Sequence, residues 1–197
     1  MRTRVFLRCF FPICFALVVS EAGVSAPVDL GEDIHGNPIH RLTSPVERVA
    51  VLFFAASDCP ISNRYAPEIE RLSKEFGPHA VHFWWVYPNP GDTAAVVAQH
   101  NRDYSITTDT ILDAKQSLVQ LAHARVTPEA AVFQIDGGQL HEVYHGRIDD
   151  RYLNLGQERP QAEHHDLEMA IAAALAGKPV PQPGGPPVGC SIVFLPK

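Results

Sequence analysis

The sequence predicts an α/β fold in which a central mixed β-sheet is flanked by helices. Apolar runs of strand length alternate with segments whose apolar residues recur every three or four positions. Near the end of this alternation, an Asp-Gly-Gly turn predicts an antiparallel hairpin that closes the sheet. A Pro- and Gly-rich segment, 179–197, then predicts an extended C-terminal tail.

Composition is typical of one globular domain. The chain has 197 residues, of which 46% are hydrophobic, so it can bury a substantial core. Its formal net charge is -6 and no run of Lys or Arg follows the first residues. Nucleic-acid binding is therefore not expected, because it needs a basic surface. We expect the folded domain to cover 27–178.

The N-terminus has the pattern of a secretory signal peptide. Three arginines within the first eight residues precede the apolar run 9–19, which is too short to span a bilayer comfortably. We expect a signal peptide at 1–22 with cleavage after Ala22, although Ala26 marks a second candidate site. The predicted location is periplasmic or secreted, with no stable membrane span after cleavage. An uncleaved anchor is the alternative.

Cysteine content changes with cleavage. The signal peptide would remove Cys9 and Cys14 and leave Cys59 and Cys190. In an oxidising compartment, two cysteines indicate a disulfide or a redox pair. The alternative is two unrelated buried thiols, since a free cysteine packs like a small hydrophobic residue.

The first strand and helix surround Cys59. Residues 49–56 form an apolar, β-branched and aromatic run that suits a strand buried on both faces. After Ser-Asp-Cys-Pro, a helical pattern runs to about Phe76. Its apolar positions recur at helical spacing: Ile61, Tyr65, Ile69 and Leu72.

The remaining elements follow from the same patterns. Asp92 is expected to cap the helix that follows it, and Gly177 to end the last helix. The predicted strands are 81–86, 130–135 and 140–144, and the predicted helices are 93–104, 115–124 and 166–176.

Cys59 lies where a buried strand ends and a helix begins. Free N–H groups and the helix dipole at that position favour the thiolate, which is the nucleophile. The neighbouring carboxylate of Asp58 opposes this effect, so the sequence leaves the direction of the pKa shift open. Ser62 stands where a second cysteine would complete Cys-x-x-Cys. Its hydroxyl can donate to the thiolate but cannot resolve a mixed disulfide.

These motifs resemble the thioredoxin-like superfamily, in particular its redoxin (AhpC/TSA–TlpA-like) branch. The segment Cys59-Pro60-Ile61-Ser62 matches the active-site segment, and Pro67 matches a proline that kinks the following helix. Val126-Thr127-Pro128 precedes the hairpin, as the cis-proline loop of the family does. The resemblance covers 49–177 and implies a thioredoxin-like fold.

The resemblance also implies roles for single residues. Cys59 matches the nucleophile, and Pro128 matches the cis-proline whose loop presents backbone groups to an extended substrate. Its partners would be a protein thiol or disulfide, or a thiol electron donor. Ser62 departs from the dithiol pattern. Ala56 stands where the peroxiredoxin pattern has threonine.

Cys190 has two open interpretations. The preceding run of about 12 residues can reach on the order of 37 Å when extended, so Cys190 can return to Cys59. The two would then form a redox or metal-holding pair. Alternatively, the apolar residues after Cys190 dock as an edge strand and its thiol is inert.

Three functions remain open from sequence. The first is thiol-disulfide exchange through Cys59, with Cys190 as a resolving partner. The others are a non-catalytic module that binds copper or a partner, and an atypical thiol peroxidase. Four histidines lie in pairs that show no diagnostic ligand spacing: His141 and His145, and His164 and His165. No cofactor or resident metal is therefore predicted.

Overall fold

A computed structural model describes residues 29–196, so the predicted signal peptide lies outside the described residues. The elements follow one another in this order: β1 (Val49–Phe54), α1 (Pro60–Phe76), a 3-10 helix (Gly77–His79), β2 (Val81–Tyr87), α2 (Ala94–Asp103), β3 (Asp109–Leu112), α3 (Ser117–Leu121), β4 (Val126–Thr127), β5 (Glu129–Asp136), β6 (Gln139–Gly146), β7 (Tyr152–Asn154), β8 (Gln157–Glu158), α4 (Asp166–Leu175) and β9 (Cys190–Ser191).

A mixed sheet forms the centre of the fold, as the sequence predicted. Its strand order is β3-β2-β1-β5-β6. The first three strands are parallel to one another, whereas β5 and β6 run antiparallel to their neighbours. All six residues of β1 are buried, which explains why that strand reads as a continuous apolar run.

Helices cover both faces of the sheet. On one face, alternate β1 residues such as Phe53 pack against α1 and α4. On the other face, residues such as Leu52 pack against α3 and the N-terminal segment near Leu30. The predicted apolar positions of α1 are all buried: Ile61, Tyr65, Ile69 and Leu72.

Two expected helix boundaries differ from the structure. Thr93 caps α2, because its hydroxyl accepts from the Val96 N–H at 3.4 Å, while Asp92 turns back toward Ser57. Helix α3 is shorter than predicted, because Gln116 at its start adopts a left-handed conformation with φ of 57°. The short strands β3, β7 and β8 were not predicted.

The C-terminal tail returns to the domain. The Gly184 N–H donates to Asp166 at 3.0 Å, at the start of α4. Further along, β9 pairs antiparallel with β4, so that Cys190 lies opposite Thr127. Ile192 is buried on the β1 face that carries Leu52. None of the helices within 29–196 is both long and apolar enough to span a membrane.

Candidate active site

Cys59 occupies the N-cap position of α1. Its backbone is extended (φ -86°, ψ 109°), and Pro60 begins the helix, where a missing N–H costs no hydrogen bond. The Cys59 carbonyl accepts the first helical bond, from the Asn63 N–H at 3.1 Å. The strand-to-helix transition therefore holds the sulfur beside free N–H groups, although Cys59 is only 1% exposed.

Pro128 lies in a loop directly opposite the thiol. The Thr127–Pro128 peptide bond is cis. The Thr127 carbonyl oxygen is 3.1 Å from the Cys59 sulfur, although the two residues are 68 positions apart. The loop before β5 thus faces the start of α1, as the resemblance implied.

Cys190 brings the second sulfur into the site. Its Sγ atom is 2.7 Å from that of Cys59, and both cysteines are free thiols. A disulfide bond is about 2.05 Å long, so a movement of under about 1 Å would bring the sulfurs to bonding distance. The pairing of β9 with β4 produces this contact, because it sets Cys190 opposite Thr127.

The two sulfurs differ in acidity. Burial raises the pKa of the Cys59 thiol, but hydrogen bonds from Cys190 and from Ser62 outweigh burial, so the pKa is lowered. For Cys190, burial and the neighbouring Cys59 sulfur both raise the pKa, and the charge of Asp58 adds to the effect. Cys59 is therefore the more acidic of the two thiols.

Ser62 completes the surroundings of the sulfur. It is fully buried on the first turn of α1, and its hydroxyl makes no standard hydrogen bond to any described residue. Even so, both its N–H and its hydroxyl lower the pKa of Cys59. A hydroxyl proton rotates to suit its acceptor, so the Ser62 hydroxyl can turn toward the Cys59 sulfur.

A polar network that the sequence did not reveal supports the loop before Cys59. The Asp92 carboxylate accepts from the Ser57 N–H at 3.0 Å, and Asn63 donates to the Ser57 carbonyl at 3.3 Å. His100 bonds Asn63 in turn, at 2.7 Å. Burial raises the pKa of Asp92. These contacts join α2 to the start of α1, and they involve residues too distant in sequence for a local pattern.

The distance between the two sulfurs is shorter than that between two thiolates that share a metal ion. Two thiolates that bind one zinc ion tetrahedrally lie about 3.8 Å apart. The Cys59 and Cys190 sulfurs are 2.7 Å apart. Within 29–196, the group of potential ligands close enough to share an ion is Glu68, His165 and Glu168. Arg71 already forms ion pairs with both of those glutamates.

Ala56 stands at the position where the peroxiredoxin pattern has threonine. Ala56 is buried three residues before Cys59, and its side chain has no hydroxyl to donate. The site brings together Cys59, Ser62, Pro128 and Cys190. His141 and His145 lie instead on β6, an edge strand of the central sheet.

Solved structures with a similar fold cover most of this chain. An uncharacterized conserved protein from Geobacillus kaustophilus has a TM-score of 0.71 and 24% identity, over 87% of this chain and 90% of its own. A hypothetical protein from Sinorhizobium meliloti 1021 has a TM-score of 0.69 and 22% identity, over 86% and 92%. A thiol-disulfide oxidoreductase from Bacteroides fragilis NCTC 9343 has a TM-score of 0.50 and 14% identity, over 60% and 85%.

Sequence comparison identifies the family. A search among curated proteins gives no match. The sequence profile of the AhpC/TSA family, however, matches residues 24–143, which is more than half of the chain and includes Cys59 and Pro128. The mixed sheet and its helices have the thioredoxin-like architecture. The chain belongs to the AhpC/TSA family, in the redoxin branch of the thioredoxin-like superfamily.

Proposed function

We propose that this protein is an exported thiol-disulfide oxidoreductase in which Cys59 and Cys190 are the redox pair. The observation that carries the proposal is the 2.7 Å contact between the two sulfurs. The opposite shifts of their pKa values support distinct roles, with Cys59 as nucleophile and Cys190 as resolving thiol.

The first step is attack on a disulfide of a partner. The Cys59 thiolate forms a bond to one partner sulfur, and the partner's S–S bond breaks. The second partner sulfur leaves as a thiolate with the bonding electron pair. Ser62 and the backbone at the start of α1 hold the attacking sulfur as an anion before this step.

The second step releases the partner. Cys190 loses its proton to the partner thiolate that was released in the first step. Its sulfur then attacks the Cys59 sulfur of the mixed disulfide. A Cys59–Cys190 disulfide forms, and the first partner sulfur leaves as a thiolate that takes up a proton. Two protein thiols are oxidised and one partner disulfide becomes two thiols. The same steps in reverse oxidise a partner dithiol.

Export and the boundaries of the mature protein are part of the proposal. The basic and apolar start of the sequence, with Ala22 at the expected cleavage site, supports passage into an oxidising compartment. There the protein would meet partners whose cysteines form disulfides. The folded domain would then cover 27–178, with 179–197 as the tail that carries Cys190.

Reaction with an aromatic disulfide tests the redox pair. Cys9 and Cys14 are changed to serine, and the reduced protein is mixed with dithiobis(nitrobenzoate). We expect two nitrothiobenzoate ions to be released while no adduct remains on the protein, because Cys190 displaces the one bound to Cys59. The measurements are absorbance and intact mass.

Cys190→Ser provides the control. This variant should release one ion and keep one adduct on Cys59, because serine cannot resolve the mixed disulfide. If the Cys190-containing protein instead keeps two adducts, its thiols react independently and the redox pair is wrong. A Cys59 that does not react at all would contradict the function itself.

A further inference from the structure

The tail strand covers the thiol that a partner has to reach. Cys59 is only 1% exposed while Cys190 lies against its sulfur. Attack on a disulfide needs a partner sulfur at bonding distance from Cys59, and Cys190 occupies that position. A partner therefore has to displace the tail before the first step, and the tail has to return for the second.

Much of the contact to the tail is made through its backbone. Besides the pairing of Cys190 with Thr127, the Ile192 N–H donates to the Arg125 carbonyl at 3.1 Å. The buried side chain of Gln116 donates to the Val193 carbonyl at 2.7 Å. It also accepts from the Leu195 N–H, at 3.0 Å. Backbone contacts of this kind hold an extended segment whatever its side chains are.

Two side-chain positions are selective. A Cβ atom at Gly189 would lie 2.2 Å from the Thr127 carbonyl oxygen, so only glycine fits directly before the cysteine. Two positions after it, Ile192 is 3% exposed and packs in the core beside β1. Ser191 and Phe194 are exposed. The groove thus accepts Gly-Cys, a variable residue and then an aliphatic residue.

We infer that residues 189–193 occupy, within the chain, the groove that receives the cysteine-containing segment of a partner. The partner segment has the same form: glycine before its cysteine and an aliphatic residue two positions after it. It adds as an antiparallel strand to β4 and exchanges with the tail. This inference rests on the proposed function, because it names the substrate class of the same pair of sulfurs.

Activated peptides test the inference in the full chain. The protein carries Cys9→Ser, Cys14→Ser and Cys190→Ser, so that Cys59 alone reacts. Each peptide carries its cysteine as a mixed disulfide with nitrothiobenzoate. The Cys59 thiolate bonds to the peptide sulfur, and nitrothiobenzoate leaves with the electron pair of the broken S–S bond. The rate of its release is measured by absorbance.

The first comparison changes the peptide. In a variant that also carries Ile192→Asp, which removes the tail from the groove, a Gly-Cys-Ser-Ile peptide should react about tenfold or more faster than Ala-Cys-Ser-Ile. It should exceed Gly-Cys-Ser-Asp by a similar factor, because the position of Ile192 buries an aliphatic side chain and would have to desolvate a carboxylate. Equal rates for the three peptides would overturn the inference.

The second comparison changes the tail. Phe194→Asp makes the same apolar-to-acidic change at an exposed position, so it should leave the tail in place. The reaction of the Gly-Cys-Ser-Ile peptide with Cys59 should then stay slow. Gly189→Ala displaces the tail without changing Ile192, so it should accelerate the reaction of the same peptide with Cys59. If neither Ile192→Asp nor Gly189→Ala accelerates it relative to Phe194→Asp, the tail does not occupy the groove and the inference is wrong.

The results distinguish failure of the groove assignment from failure of the oxidoreductase function. Dithiobis(nitrobenzoate) is small and has no flanking residues that the groove could contact. If Cys59 reacts with this reagent while the peptides show no preference, the oxidoreductase function stands and the groove assignment is overturned. If Cys59 reacts with neither reagent nor peptide, both are overturned.

Discussion

At the scale of single residues, the chemistry depends on the environment of the Cys59 sulfur. Burial alone disfavours an anion, yet the pKa of this thiol is lowered because donors from Ser62 and Cys190 converge on it. A hydrogen bond to a charged group contributes more than one between neutral groups. The sulfur is thus shielded from solvent, while these donors lower the pKa of its thiol.

The Ser62 hydroxyl gives a direct test of this balance. Ser62→Ala removes one donor to the thiolate, so the pKa of Cys59 should rise and its alkylation at pH 7 should slow by up to about tenfold. The measurement is the rate of alkylation against pH, in a Cys190→Ser background. Ser73→Ala, on the same helix, is the matched control. An unchanged pH midpoint in Ser62→Ala would contradict this role.

At the scale of elements, short helices are held by side chains at their ends. Helix α3 has five residues, and the Asp113 carboxylate accepts from the Leu118 and Val119 N–H groups, each at 3.0 Å. Burial raises the pKa of Asp113 to about 6, and these backbone bonds offset burial only in part. Helix α3 therefore depends on a carboxyl group that the fold prefers to keep protonated.

The pH dependence of stability follows with a definite sign. The folded pKa of Asp113, about 6, lies above the ordinary value of 3.8, so the folded state binds more protons between these values. The free energy of unfolding should therefore fall as pH rises through this window, by up to about 3 kcal/mol. Asp113→Asn keeps the accepting oxygen and should remove this contribution.

Denaturant unfolding between pH 4 and pH 7 measures this effect. The difference in unfolding free energy between the parent and Asp113→Asn isolates the one carboxyl from other titrating groups. Asp103→Asn, at the end of α2, is the matched control, because it makes the same chemical change at an exposed position. A parent and an Asp113→Asn protein with parallel pH profiles would show that Asp113 ionises at its ordinary pKa.

At the scale of the whole molecule, the tail joins distant parts of the chain. A Cys59–Cys190 bond would link residues 131 positions apart. Closing a loop of that length lowers the entropy of the unfolded chain, which corresponds to a stabilisation of about 5 kcal/mol at most. Oxidation would thus fasten the tail to the domain, and reduction would free it for exchange with a partner.

Local patterns were sufficient to predict most of the fold. Ile61, Tyr65, Ile69 and Leu72 identify the buried face of α1, because helical periodicity depends only on neighbours along the chain. The segment Cys59–Ser62 and Pro128 were singled out by the resemblance of their short motifs to the thioredoxin-like superfamily. Strand β3 was missed because it has four residues, two of them polar.

Contacts between distant segments could not be predicted from these patterns. Asp92 was expected to cap α2, but it bonds Ser57, 35 residues earlier, and Thr93 caps the helix instead. Whether Cys190 meets Cys59 depends on the pairing of β9 with β4, and on a glycine at 189 that lets the backbones approach. The sequence left that pairing open.

Equilibration in glutathione buffers of graded potential measures whether Cys59 and Cys190 act as one redox pair. The protein, with Cys9 and Cys14 changed to serine, is quenched and its free thiols are counted by maleimide mass labelling. We expect the free thiols of Cys59 and Cys190 to be lost together in one two-electron transition, giving an intramolecular disulfide without bound glutathione. Separate loss of the two thiols, or glutathione retained on both, would contradict it.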